Sequence, residues 1–202
     1  MLRIIIKNII IESLKYDFTQ SQRNNSKKLF LELFDYYLRR VSPKTYPMIW
    51  HNTTIDRYEN IKKFGLTGKL NYFSDNDNNM IAYGQYDETG EEINGIAVGV
   101  DYKEVSDRLY PDPEWLHDII VKTGNPSSFI KRGIDNDVVL CVFVEEVLGL
   151  NSNKELSLRD IPKVKMKEIF NDSIFLWMYV EGKVPPNLLK FKIHPDFTNN
   201  RL

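Results

Sequence analysis

The chain has 202 residues, 42% hydrophobic and 12% aromatic, enough to bury one full core with an appended arm and too few for two complete domains. Its 27 basic and 28 acidic residues leave a net charge of -1, which excludes a global positive field drawing it to nucleic acid; such a partner would need a local patch. The single cysteine, Cys141, excludes an internal disulfide and a cysteine-based metal site, and its neighbours Leu140 and Val142 predict a buried, inert thiol that suits a reducing compartment.

The opening stretch, MLRIIIKNIIIESL, is interrupted by Lys7, Asn8 and Glu12 and lacks the unbroken apolar run and small-residue cleavage site of a secretory signal. No segment elsewhere reads as a membrane-spanning helix. Ile5, Ile6, Ile9, Ile10 and Leu14 fall at helical spacing, so this arm is expected to pack on the body or on a partner. Residues 16–26 are polar and read as a loop. A helix is predicted from Ser26 to Arg40, with Leu29, Phe30, Leu33, Phe34, Tyr37 and Leu38 on a broad apolar face. Residues 1–45 therefore read as an N-terminal helical arm and 46–202 as the main domain. The compact basic cluster Arg39, Arg40 and Lys44 reads first as a solvated helix terminus.

Pro43 and Pro47 bracket the entry to a strand, Met48, Ile49 and Trp50, expected to end at His51, with Asn52, Thr53 and Thr54 before a helix. Asp56 is the expected N-cap, with Glu59 three residues on, and Gly65 the expected stop. Leu70, Tyr72 and Ser74 alternate with Asn71, Phe73 and Asp75, which predicts a second strand sending Tyr72 and Ser74 to one side and Phe73 to the other. Asp75 to Asn79 reads as a solvated, cap-forming turn. Met80 to Gly84 reads as a helical turn that hangs Tyr83 above a pocket.

Later strand signals are Ile96 to Val100, Val138 to Glu145, Phe175 to Val180 and Leu188 to Ile193. Helices are predicted from Asp112 to Gly124 and from Asp160 to Phe170. The body is therefore mixed α+β. No phosphate loop, dinucleotide fingerprint, nucleophile elbow or metal pair of histidines is present, and His51, His117 and His194 are dispersed. Asp75 to Asn78 lacks the later glycine and glutamate of a calcium loop. Asp112, Glu114 and Asp118 around Trp115 admit a paired-carboxylate reading, with a charged outer helix face preferred. Taken singly, His51, Tyr72 and Tyr83 are ordinary half-buried residues; their joint order is the functional signal.

That order resembles the catalytic core of the poly(ADP-ribose) polymerase-like, His-Tyr class of ADP-ribosyltransferases. His51-Asn52-Thr53 resembles the family's His-Gly-Ser/Thr strand, Phe64-Gly65-Leu66 its helix-ending Gly-Leu, Tyr72-Phe73-Ser74 its Tyr-Phe-Ala/Ser strand and Ala82-Tyr83 its Ala-x-Tyr pair. The stretch VLCVFVEEVLGL, from Val139, is similar to its apolar strand ending in Glu-Val-x-Leu-Gly, and VPPNLLKFK, from Val184, to its last strand. The likeness covers Met48 to Ile193. It implies split mixed or antiparallel sheets with flanking helices; the N-terminal helical arm, read from its own spacing, has no counterpart in the family.

The resemblance implies a cytoplasmic transferase, a glycosyltransferase in reaction type, that passes ADP-ribose from NAD to an unknown acceptor with nicotinamide release. His51 would hydrogen-bond a ribose hydroxyl, the backbone at Asn52 would hold the nicotinamide amide, Tyr83 would stack on the ring, and Thr53, Tyr72 and Ser74 would complete the NAD pocket. Two positions depart from the family. Asn52 replaces a glycine, and Ile174 to Trp177 offers no carboxylate where chain-elongating members carry a glutamate, so the chain more resembles mono-ADP-ribosylating or inactive branches. Glu145, Glu146 and Glu181 are the nearby acidic candidates. The N-terminal stretch also looks like that of tailed-bacteriophage proteins, with Ile10-Ile11-Glu12-Ser13 resembling a prohead-protease cleavage pattern. Three readings follow: the NAD-consuming transferase, with a protein acceptor preferred to nucleic acid; an inactive structural or assembly protein of a phage virion, associating through the arm; and an RNA 2′-phosphotransferase of related fold, ranked last because the body's arginines are scattered.

Overall fold

A computed structural model describes residues 17–77, 95–112, 135–171 and 177–193. The arm at 1–16, Tyr83, the helix expected from Asp112 and the two later histidines lie outside these residues. The described chain is α+β, and it groups into two compact units: 17–33 with 135–168, and 34–77 with 95–112, 169–171 and 177–193. Among the described residues no helix is long and apolar enough to cross a membrane.

Helix α1 (Gln20–Val41) runs six residues earlier than its apolar face predicts. The cause is a capping box: Thr19 Oγ1 accepts from the Gln22 amide (3.3 Å) while Gln22 Oε1 accepts from the Thr19 amide (2.9 Å). In the first unit α1 buries Leu29, Phe30 and Leu33. Gln22 Nε2 donates to Ser152 Oγ at 3.1 Å and to Glu145 Oε1 at 3.4 Å, and Arg23 pairs with Asp135 at 2.7 Å. Asp135 also accepts from the Asp137 amide (2.9 Å) and so caps α2 (Asn136–Val142), which passes into a π-turn at Phe143–Val147.

That helix corrects the strand expected over Val138 to Glu145, and with it the likeness drawn from Val139 to Leu150. The run is buried on every side, from Val138 to Val144, and all-round burial erases the difference between the two periodicities. The Asp135 cap decides for helix. Cys141 is fully buried, and burial pushes its thiol above the usual range, as expected.

The second unit holds two antiparallel three-stranded sheets. One has the order β1 (Met48–Thr54), β3 (Gly95–Asp101), β6 (Leu189–Ile193), and the other β2 (Leu70–Phe73), β5 (Met178–Glu181), β4 (Leu109–Pro111). His51 pairs with Val98 and Thr54 with Gly95, so His51 lies in mid-strand and not at a strand end. Pairing to β3 carries the polar residues 52–54 on in extended form, overriding their turn preference. Trp50 and Ser74 exchange backbone hydrogen bonds of 2.9 and 2.8 Å, which joins the first sheet to the chain leaving β2. Gly99, opposite Trp50, has a packing reason: a Cβ there would stand 2.7 Å from the indole and from Met48 Cε.

Between β1 and β2, a 3-10 turn at Ile55–Arg57 precedes α3 (Tyr58–Phe64). Asp56 falls inside that turn and Arg57 takes the N-cap position without a side-chain bond, so the expected Asp56 cap is corrected. Gly65 ends α3 with φ +77°, as its position predicts. Helix α4 (Lys163–Asn171) matches the expected second helix. Asp75 and Asp77 are 4% and 6% exposed, not the solvated turn expected. Asp75 accepts from Tyr37 Oη (3.1 Å) and Asn76 Nδ2 (2.9 Å), and Asp77 pairs with Lys192.

Candidate functional site

A cavity of about 530 Å³ opens in the second unit, with β1 supplying His51, Asn52 and Thr53 to its wall and Tyr72 and Ser74 coming from β2 and its exit. Alternation along β2 sets what each residue offers. Tyr72 is 47% exposed while Phe73 is buried at 1%, so the phenol reaches the cavity and Phe73 supports from beneath, its ring edge-on to the His51 ring with centroids 5.9 Å apart. Tyr72 is also braced across the sheet, tilted against Tyr179 at 6.2 Å, and Tyr179 stacks on Tyr110 at 5.8 Å.

His51 Nδ1 lies 2.8 Å from the Tyr72 carbonyl oxygen. A carbonyl only accepts, so Nδ1 carries the proton and Nε2 holds a lone pair. Burial pushes the imidazole below its ordinary range; the Tyr72 carbonyl opposes this, and the Arg57 guanidinium adds to it. The ring is therefore neutral near pH 7 and presents an acceptor to a ligand hydroxyl.

A lowered imidazole value has a sign for stability. Between the folded and unfolded values the unfolded chain binds more protons, so stability rises with pH across that window and is lost as acid protonates His51. In His51→Gln this part of the acid dependence is expected to vanish, seen as a flatter melting-temperature profile from pH 7 to pH 4.5. Asp75 works the other way, because burial raises its carboxyl and stability then falls as pH rises through its window. A profile of His51→Gln superimposable on the parent's would remove the desolvated imidazole from this account.

Asn52 donates from Nδ2 to Ser74 Oγ at 3.1 Å, and Ser74 Oγ donates in turn to the Asn76 carbonyl at 2.8 Å. The carboxamide is thus turned toward Ser74, and its buried Oδ1 has no hydrogen-bond partner among the described residues. Ser74 is 2% exposed and spends its hydroxyl on positioning Asn52. Thr53 is buried in the same wall.

Two further residues, Asp112 and Trp177, meet at the cavity in a pairing that no sequence signal predicts. Trp177, 36% exposed, stands directly before β5, and its carbonyl accepts from the Asp112 amide at 3.0 Å just past β4. Asp112 is the one acidic residue lining the cavity among the described residues. The pairing of β4 with β5 brings it to Trp177 from far along the chain. Arg57 completes the rim. Glu145 and Glu146 lie on the π-turn of the first unit and Glu181 at the far end of β5; none lines the cavity. The structure thus brings His51, Asn52, Thr53, Tyr72 and Ser74 to one cavity. Comparison of the chain with protein families, with curated proteins and with solved structures gives no match.

Proposed function

We propose that this protein has an ADP-ribosyltransferase-like fold and consumes NAD as a mono-ADP-ribosyltransferase, releasing nicotinamide and passing ADP-ribose to an acceptor. The observation that carries this reading is His51, its Nδ1 held 2.8 Å from the Tyr72 carbonyl, at a cavity bordered by both sheets of the second unit. Such an imidazole, its Nδ1 proton turned to the Tyr72 carbonyl, accepts from a ribose hydroxyl at Nε2. Tyr72 and Trp177 supply aromatic walls for a pyridine ring.

In the reaction the C1′–N bond breaks with its electron pair moving to the pyridinium nitrogen, so nicotinamide leaves neutral and the ribose becomes an oxocarbenium cation. The acceptor's nucleophile then bonds to C1′ and gives its proton to solvent. This chemistry rests on orientation and charge stabilisation more than on a strong base. Asp112 is the wall carboxylate that opposes the developing charge.

The test is incubation of the purified protein with NAD, following nicotinamide release and mass gain on itself or on lysate proteins. Asp112→Asn is expected to lower kcat about 10- to 100-fold with KM nearly unchanged; an unchanged kcat would take Asp112 out of the reaction. Absence of both nicotinamide release and an NAD-dependent thermal shift in the parent would favour the second reading, an inactive structural or assembly protein of a phage virion. That reading draws on the stretch Ile174 to Trp177, which offers no carboxylate where chain-elongating members of the resembling family carry a glutamate.

A further inference from the structure

The basic residues at the end of α1 are laid against aromatic rings of the second unit. Arg39 Cζ stands 4.4 Å from the centroid of the Tyr46 ring, and Arg40 Cζ stands 5.6 Å from that of Tyr36 and 5.3 Å from that of Phe170. Hydrogen bonds fix both guanidiniums in place: Arg39 Nη2 donates to Tyr46 Oη at 2.6 Å, and Arg40 Nη1 to Tyr36 Oη at 3.0 Å. Lys44 is exposed in the turn that joins α1 to β1. Lys103, in the 3-10 turn Tyr102–Arg108 after β3, brings its ammonium to 5.7 Å from the centroid of the same Tyr46 ring.

The helix dipole accounts for Arg39 and Arg40 in the last turn of α1. It gives no reason for Lys103, which arrives from the end of another strand. Charge balance separates the four cations. Asp35 pairs with Arg39 at 2.7 Å and also accepts from the Tyr46 hydroxyl (2.7 Å) and the Tyr102 hydroxyl. Arg40, Lys44 and Lys103 are exposed and form no ion pair with any described residue. Asp101 accepts from the Lys103 backbone amide at 3.0 Å, not from its ammonium. Three cations without a carboxylate are thus a local excess in a chain of net charge -1.

We infer that this face docks single-stranded nucleic acid, with phosphates on Arg40, Lys44 and Lys103 and a base on the guanidinium plane of Arg40. A guanidinium laid flat on a ring is a held surface on which an unpaired base stacks, and the cations beside it displace counterions from the strand. A protein partner calls for an apolar centre at the interface, and a lipid surface for apolar side chains that enter it. Among the described residues of α1 and the turns around its end, Val41, 42% exposed, is the one large apolar side chain so placed. The charge is local, as a partner of this class requires in a chain without a global positive field. This inference stands independently of the proposed NAD reaction.

Anisotropy of a fluorescein-labelled oligothymidylate mixed with the full chain tests it. Three phosphate contacts are expected to give a slope of about -2 in log affinity against log salt, which is about a 20-fold loss between roughly 50 and 200 mM. Arg40→Ala, Lys44→Ala and Lys103→Ala combined should weaken binding about 10- to 100-fold at the lower salt and flatten the slope toward zero, with the melting temperature kept. Arg40→Lys alone should keep the slope and lose part of the affinity, because the stacked plane is gone while the charge stays. No binding by the parent at the lower salt, or a triple variant with the parent's affinity and slope, would overturn the inference. Binding to phosphatidylserine vesicles or to polyglutamate in place of the oligonucleotide would overturn it as well.

Discussion

Replacing His51 by alanine is expected to cut nicotinamide release from NAD about 100- to 1,000-fold. The loss combines three effects of one side chain. Nε2 no longer accepts from the ribose hydroxyl, the Tyr72 carbonyl loses its 2.8 Å partner, and Phe73 is uncovered where the imidazole lay against its edge. The first of these belongs to the reaction and the other two to the wall, and pH separates them. In the parent, kcat/KM should fall as acid protonates Nε2 and turns the acceptor into a donor. Because burial and Arg57 hold the imidazole below its ordinary range, that fall should come at lower pH than for a free histidine. His51→Gln, which keeps a polar side chain there, should melt close to the parent and show no such acid limb. Parent-like release in both variants would remove His51 from the chemistry.

Gly65→Ala is expected to be the most destabilising single methyl addition in the second unit, at about 3 to 5 kcal/mol. Gly65 has φ +77°, and a Cβ built there would stand 2.1 Å from the Val184 carbonyl oxygen and about as close to the Pro185–Pro186 backbone as van der Waals radii forbid. No flexible side chain is available to yield. The same carbonyl accepts from the Leu66 amide at 2.9 Å, and the Val184 amide returns a bond to Leu66 at 2.9 Å, so relief of the clash breaks two backbone bonds. Chemical denaturation should show a lowered midpoint with an unchanged slope. A loss below 1 kcal/mol would mean that the turn between α3 and β2 adjusts more freely than its backbone contacts imply.

Sequence patterns reached the parts of this fold in which a local signal had one meaning. Alternation places Tyr72 and Phe73 on opposite faces of β2, the positive-φ position of Gly65 ends α3, β6 lies within the strand signal at 188–193, and β3 and β5 overlap those at 96–100 and 175–180 while running one residue or more past them. The start of α1 was also written locally, in Thr19-Gln-Ser-Gln22, but polar composition made that stretch look like a loop. Residues 136–142 were not legible by periodicity, since complete burial leaves no polar face to count from. His51 reads as a strand end because Asn52 to Thr54 are turn-formers, and only pairing with Val98, Ala97 and Ile96 reveals the longer strand. At the site, His51, Asn52, Thr53, Tyr72 and Ser74 were named from their order in the chain. Asp112 and Trp177 were invisible as a pair, because their adjacency is made by two strands distant in sequence.

Trp50 and Ser74 bond to each other at both backbone groups, and their neighbours His51 and Phe73 touch through their rings. Imidazole and phenol are thereby measured from one stitch, like marks on two rulers clamped at a common zero. Side chains around the rim are free to diverge without disturbing that alignment. Retuning what the pocket accepts is therefore a matter of changing Thr53, Tyr72 or Trp177 while the amides of Trp50 and Ser74 are left untouched; a proline at either amide would unfasten the clamp and scatter the whole set together.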